Sequence, residues 1–497
     1  MLTNHILSLS IWVPILAGVI VLALGNDHRV ALTRWLAAFG AIAGLLVTVP
    51  LYTQFNFAEA GFQFQEAAYW IPAFQIFYHL GADGISVPLI LLTSFTTLIC
   101  IIASWQVITK NIAQYMACFL MMSGLMIGVF SALDSILYYV FWEAMLIPMF
   151  LVIGIWGGPN RVYATVKFFL YTLLGSLLML VAFIYLFHLT GSFNIAKYHN
   201  VVLPFNVQLC IFMAFFMAFA VKIPMWPVHT WLPDAHVEAP TAGSIVLAAV
   251  MLKLGGYSFL RFAMPIAPDA THYLAGFMIA LSLIAILYIA LVALVQKDMK
   301  KLIAYSSISH MGFVTLGFFL FSQLGLEGAI VQMISHGFIS AAMFLCVGVL
   351  YDRMHSRQIA DYGGVANTMP VFSAFVVLFA MANSGLPGTS GFVGEFMVIL
   401  AAVKYDFWVA FIAATTLIFG ASYTLWMVKR VYFGSVANDK VAALKDLSRR
   451  EFVLLAVLAA FTIGICVYPQ VITQMTQATS ARFLNHMSIS KLPAAGI

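Results

Sequence analysis

An all-α polytopic membrane protein is the fold class this sequence predicts, and three observations predict it. Of 497 residues, 63% are hydrophobic and only 8% are charged, with a mean hydropathy of +1.01. A soluble globular chain has roughly 45–50% apolar and about 25% charged residues. The apolar residues gather into about fourteen runs, each near the roughly 20 residues of helix that cross about 30 Å of hydrocarbon. Lys and Arg fall mostly between the runs and mostly on one side of the resulting bundle. Eighteen acidic and 23 basic side chains are too few to coat a soluble chain of 54.7 kDa. That excludes a soluble enzyme, a disordered chain and a nucleic-acid binder.

The elements follow in order. Span 6–24 has no basic segment before it and no small-residue cleavage site, so it reads as a retained helix rather than a signal peptide. Span 30–52 follows a loop carrying Arg29, and segment 53–82 has no Lys or Arg. Spans 85–108, 114–132, 135–155 and 162–189 are joined by short connections, with Asp83 and Asp134 placed to cap helices. Span 207–225 carries Lys222, and Pro224 and Pro227 break it there because proline removes a backbone donor and clashes with the preceding turn. His229, Asp234, His236 and Glu238 cluster in the next loop without a diagnostic metal spacing, so helix caps and loop hydrogen bonds are the simpler reading. Spans 241–262, 271–294, 303–323 and 327–351 follow, carrying Lys253, none, His310 and His336 respectively. Segment 295–301 reads as a solvated inside end. Span 369–403 is interrupted at Pro387 and Gly388, just before Glu395. Spans 408–431 and 452–468 complete the bundle, and segment 436–450 reads as an amphipathic stretch along the surface.

Cys100, Cys118, Cys210, Cys346 and Cys466 all sit in apolar runs with no C-x-x-C pair. They read as small buried hydrophobes, not as a disulfide framework, a thiolate zinc site or an iron–sulfur cluster. With the N-terminus outside, sixteen Lys and Arg fall on the inside and five on the outside, while Lys222 and Lys253 lie in spans. This asymmetry predicts an even number of spans with both termini outside.

A charge at the bilayer centre costs about 2.5–3.5 kcal/mol even on the lenient insertion scale. Glu143, Lys222, Lys253 and Glu395 nevertheless lie within spans, as do His310 and His336. One such residue is equally well a structural ion pair. Six of them in separate spans form a polar chain through a bundle, which is what proton transfer requires. Two adjacent membrane histidines are a thinner basis for haem ligation. Irregular backbone at membrane depth is tolerated only inside protein or beside water, so both broken spans are expected to face a hydrated interior. Span five with Glu143 corresponds to span ten with His310, and broken span seven to broken span twelve. Five spans is an odd number, so the second copy is inverted. The expected units are residues 1–110 (three helices), 111–265 (first five-helix repeat), 266–435 (inverted repeat) and 436–497 (inside loop, last helix and tail).

The segments LYYVFWEAMLIPMF, AFAVKIPMWPVHTWLPDAHVEAPTAGSIVLAAVMLKLGGYSFLR, KDMKKLIAYSSISHMG and SGLPGTSGFVGEF closely resemble the antiporter-like membrane subunits of respiratory complex I. The resemblance runs from about Gly81 to Val431. That family includes the L-, M- and N-type subunits of NADH–quinone oxidoreductase, Mrp-type cation/proton antiporter subunits and membrane-bound hydrogenase subunits. Glu395 where L and N types carry lysine, and the short segment after the last span, resemble the M-type (chain 4) pattern. The resemblance implies a proton-translocating membrane-arm subunit with no redox centre of its own. Flavin mononucleotide, iron–sulfur clusters and quinone would be on partner subunits, and L-type and N-type chains would be neighbours in a bacterial inner membrane. It implies a coupling pair Glu143–Lys222, a central axis of Lys253 and His310 with His336 beside it, and Glu395 as the exit-side group. The alternative within the family is an antiporter or hydrogenase subunit.

Overall fold

The structure, a computed structural model, describes residues 5–493. Its helices are α1 (Ile6–Leu24), α2 (Val30–Thr53), α3 (Ser86–Ala103), α4 (Ile112–Ser131), α5 (Ser135–Trp156), α6 (Arg161–Thr190), α7 (Phe205–Lys222), α8 (Trp231–Glu238) and α9 (Thr241–Ile266). They continue as α10 (Ala275–Leu294), α11 (Met299–Phe319), α12 (Gln323–Met354), α13 (Pro370–Asn383), α14 (Ser390–Tyr405), α15 (Phe407–Tyr432), α16 (Arg449–Val467) and α17 (Gln470–Met487). Among the described residues, thirteen helices have the length and hydropathy to cross a membrane. The remaining expected crossing is α13 followed by α14, helices of 14 and 16 residues. The observed bounds shift some expected spans. Span ten begins at Met299, because Asp298 accepts from the amides of Lys300 and Lys301 at 2.8 and 3.2 Å and caps the helix there.

Three helices form the interior. The apolar windows of α9, α11 and α12 are 100%, 94% and 100% buried, against 33–39% for α1, α2, α6, α15 and α16. The outer helices present their apolar side chains to the surface, as a chain in lipid must. Cys100, Cys118 and Cys346 are buried as expected. Cys210 is exposed and Cys466 partly so, because they lie on outward flanks of α7 and α16. A membrane-facing flank is as apolar as a core, so hydropathy does not separate the two.

Several loops differ from expectation. Within 53–82 an antiparallel hairpin forms, β1 (Gln63–Ile71) and β2 (Ile76–Ala82). Its buried Glu66 accepts from the Leu7 and Ser8 amides at 2.8 and 3.2 Å, so the hairpin caps the free amides at the start of α1. Asp134 caps α5 as expected, accepting from Ile136 and Leu137. Asp83 accepts from the Ile85 and Ser86 amides and also pairs with Arg261 at 2.8 Å. Segment 295–301 is not a free solvated end. Lys300 is buried and donates to the Ala239 carbonyl at 2.6 Å, and Arg357 reaches both Asp298 and the Val237 carbonyl. Segment 436–450 is mostly irregular rather than one amphipathic helix, and its Asp446 accepts from the Val371 and Phe372 amides at the start of α13. The tail after α16 forms α17, which packs back on the bundle. His486 meets the Pro265 carbonyl at 2.9 Å and His272 the Met487 carbonyl at 3.0 Å.

Arg261 and Asp83 are both buried. Removing one partner of a buried ion pair leaves an uncompensated charge, at a cost of about 3–5 kcal/mol. Arg261→Ala is therefore expected to lower the accumulation and melting temperature of the protein in mild detergent, and Asp83→Asn/Arg261→Met together to recover part of the loss.

Candidate functional site

Helix α7 ends at Lys222 because Pro224 and Pro227 cannot continue it. A helix end leaves carbonyls without intrahelical partners. Here the Trp231 indole, from the first turn of α8, donates to the Val221 carbonyl at 2.9 Å. The supposed loop after Lys222 is thus largely helix, and α8 returns a hydrogen-bond donor to the break. Lys222 is buried, and its ammonium lies 5.3 Å from the Trp142 ring centre and 5.7 Å from that of Phe168. Neither Lys222 Nζ nor Glu143 Oε1 has a hydrogen-bond partner. The expected Glu143–Lys222 couple is therefore not a joined pair in this structure. Successive helical residues point about 100° apart, and α5 lays the Trp142 ring against the lysine. An aromatic face attracts a cation by roughly 0.5–2 kcal/mol, which offsets only part of the roughly 2.5–3.5 kcal/mol that a charge at the bilayer centre costs.

Lys253 sits at the middle of α9, which is interrupted by two wide-turn π segments at Leu247–Met251 and Phe259–Ala263. Such bulges displace backbone hydrogen bonds and recur at functional sites. Lys253 Nζ donates to the Ala248 carbonyl at 2.5 Å and meets His336 Nδ1 at 2.7 Å. A proton between an amine and an imidazole nitrogen can reside on either, so this contact has the geometry that proton transfer requires.

The second group closes on Glu395. His310 Nδ1 lies 2.7 Å from Glu395 Oε1, and Gln332 Nε2 donates to the same oxygen at 3.0 Å. The His310 and His336 ring centres are 5.5 Å apart. All four groups are buried. The second broken span makes this possible. Gly385 has φ of +70°, a backbone conformation glycine adopts without steric cost, and a Cβ there would lie 2.8 Å from Glu395 Oε2. The chain thus turns directly over the carboxylate. Lys253, His336, His310 and Glu395 form one line across α9, α12, α11 and α14. His336 lies within that line, between Lys253 and His310, rather than beside it.

His229, Asp234, His236 and Glu238 do not converge. Asp234 pairs with Lys167 at 2.7 Å, Glu238 accepts from the Asn160 amide at 2.9 Å, and the His236 ring stacks on Phe344 with centres 4.5 Å apart. Asp234 and Glu238 line a cavity of about 600 Å³ together with Lys297, Lys301 and Arg357. Among the described residues, no group of three or more His, Cys, Asp or Glu is arranged to hold a metal ion. Sequence reasoning missed Gln332, Trp142 and Trp231. Gln332 lies four residues before His336 on the same helix, a spacing that placed it on the same face and was the available signal.

Residues 132–422 match the family model described as NADH:quinone oxidoreductase/Mrp antiporter, transmembrane. Residues 41–133 match NADH-ubiquinone oxidoreductase chain 4, amino terminus, so the family likeness extends further toward the N-terminus than the motifs indicated. The chain is 47% identical to NADH-quinone oxidoreductase subunit M of Rhodobacter capsulatus, over 97% of both chains. A chain of respiratory complex I from Thermus thermophilus superposes with a TM-score of 0.89 at 29% identity, covering 98% of this chain and 100% of that one. A chain of the Mrp complex from Dietzia sp. DQ12-45-1b superposes with a TM-score of 0.84 at 20% identity, covering 98% of each, which is a likeness of fold.

Glu395 is the acceptor for two buried side chains, and each buried donor left unpaired costs about 1–3 kcal/mol. Glu395→Ala is expected to lower thermal stability in detergent by more than Glu395→Gln, which keeps an acceptor at that position. Equal melting temperatures for the two variants would contradict the hydrogen bonding described.

Proposed function

Because this chain belongs to the NADH:quinone oxidoreductase/Mrp antiporter membrane-subunit family, in its subunit M (chain 4) branch, we propose that it moves protons through its buried Glu, Lys and His side chains as a membrane-arm subunit of NADH–quinone oxidoreductase. The single observation that carries the path is the line of contacts from Lys253 through His336 and His310 to Glu395. Protons enter from the inside through the cavity beside Asp234 and Glu238 and reach Lys222. They pass to Lys253 and leave from Glu395 on the outside. The step between His336 and His310 is bridged by water or by a turn of one ring, since the imidazoles relay by accepting on one nitrogen and releasing from the other.

Glu143 and Lys222 form the switch. In the open state Lys222 rests on Trp142 and Phe168, and in the closed state it pairs with Glu143. Closing the pair favours a charged lysine, and opening it favours release of the proton toward Lys253. Moving one charge through 100 mV takes about 2.3 kcal/mol. Two unit charges brought to 4 Å at an effective dielectric of 20 interact by about 4 kcal/mol, so the pair is of the right size to exchange that energy.

Redox chemistry is on partner subunits, which carry the flavin, iron–sulfur clusters and quinone. L-type and N-type chains flank this one in a bacterial inner membrane, with both termini outside as the sixteen-to-five distribution of Lys and Arg supports. Residues 111–265 and 266–435 act as two inverted units, one around Lys222 and one around Glu395.

Lys222→Ala and Glu143→Gln, each assembled in the complex, are expected to abolish most proton pumping in sealed membrane vesicles. Normal pumping per NADH oxidised in either variant removes that residue from the path. Transport driven by an ion gradient without NADH would instead mark an antiporter subunit.

A further inference from the structure

We infer that Gln332 is a positioning residue of this relay, whose amide turns over as Glu395 gains and loses its proton. The inference rests on the proposal that Glu395 ends the relay. Gln332 is only 2% exposed. Its Nε2 donates to Glu395 Oε1 at 3.0 Å, the oxygen that also meets His310 Nδ1 at 2.7 Å, while its own Oε1 has no hydrogen-bond partner. One buried side chain therefore has its donor engaged and its acceptor free.

A glutamine amide carries donor and acceptor on one planar end. An ionised carboxylate only accepts, so it takes the N–H side. A carboxylic acid has an O–H to donate, and the carbonyl side receives it. Proton transfer from a doubly protonated His310 breaks Nδ1–H and forms O–H on Glu395, leaving a neutral ring and a neutral acid. A half-turn of the amide then brings Oε1 to the new O–H. An apolar residue at 332 serves neither state, and a residue that only donates serves one. Gly394 keeps this end of the side chain clear, since a Cβ there would lie 2.7 Å from Gln332 Oε1.

The test uses the whole complex in inverted membrane vesicles, with Gln332→Met, which keeps the chain length and removes the amide. Glu395→Gln is the control. Complex content is read from NADH oxidation by an artificial acceptor, transport from the rate of proton movement per complex during NADH oxidation, and the acid form of Glu395 from the infrared carbonyl band that Glu395→Gln removes. Gln332→Met is expected to be present in normal amount, to move protons at least about tenfold more slowly, on the scale of one hydrogen bond to a charged group, and to shift that band. Normal transport overturns the inference. So does slowed transport with the band in place, which makes Gln332 a packing residue. If Gln332→Met does not assemble, Gln332→Asn, one methylene short of Glu395, decides: slowed transport at normal content with the band shifted supports the inference, and normal transport or an unmoved band overturns it. Normal transport in Glu395→Gln itself would locate the failure in the relay rather than in Gln332.

Discussion

A charge cannot be held in the interior of a bilayer without partners, and the rest of this structure depends on how that constraint is met. The three most deeply buried helices, α9, α11 and α12, are also the ones that carry Lys253, His310 and His336. In a soluble protein such helices would be the place for leucine. Here they enclose polar groups, and the outer helices shield those groups from lipid. The apolar surroundings make each contact in the line strong, because the local dielectric is low. They also leave Lys222 Nζ and Glu143 Oε1 without hydrogen-bond partners.

Breaking a helix is the second consequence. A continuous helix satisfies its own backbone and offers nothing to a side chain at mid-membrane. Interrupting α7 at Lys222 frees a carbonyl, which Trp231 occupies. Interrupting the twelfth span at Gly385 lets the chain turn over Glu395. The π segments of α9 do the same on a smaller scale, and Lys253 binds a carbonyl from within one of them. Each irregularity lies beside an ionisable group.

Much of this was legible in the sequence. The spans follow from hydropathy, since a bilayer demands length and apolarity of each crossing. The two breaks follow from Pro224, Pro227, Pro387 and Gly388, and the six ionisable residues stand out because they are costly where they lie. What could not be read is direction. Sequence places Trp142 and Glu143 side by side, and only the packing of α5 shows that the Trp142 ring lies against Lys222. The same holds for His336, in line with Lys253 and His310 rather than beside them, and for Cys210, whose apolar context suits lipid as well as core. The hairpin at Gln63–Ile71 and Ile76–Ala82 is not legible because its Glu66 meets the start of α1 59 residues away in sequence. Helix α17 has a more polar sequence than the spans and no apolar run, so hydropathy does not mark it.

Lys253 connects the two halves of the proposed path through its contact with His336. The most direct measurement is the number of protons translocated per NADH oxidised by the complex carrying Lys253→Met, in inverted vesicles with complex content normalised by NADH oxidation with an artificial acceptor. A continuous relay predicts normal content with the proton yield lost or sharply reduced. An unchanged proton yield at normal content would contradict the relay and leave the buried lysine a structural group.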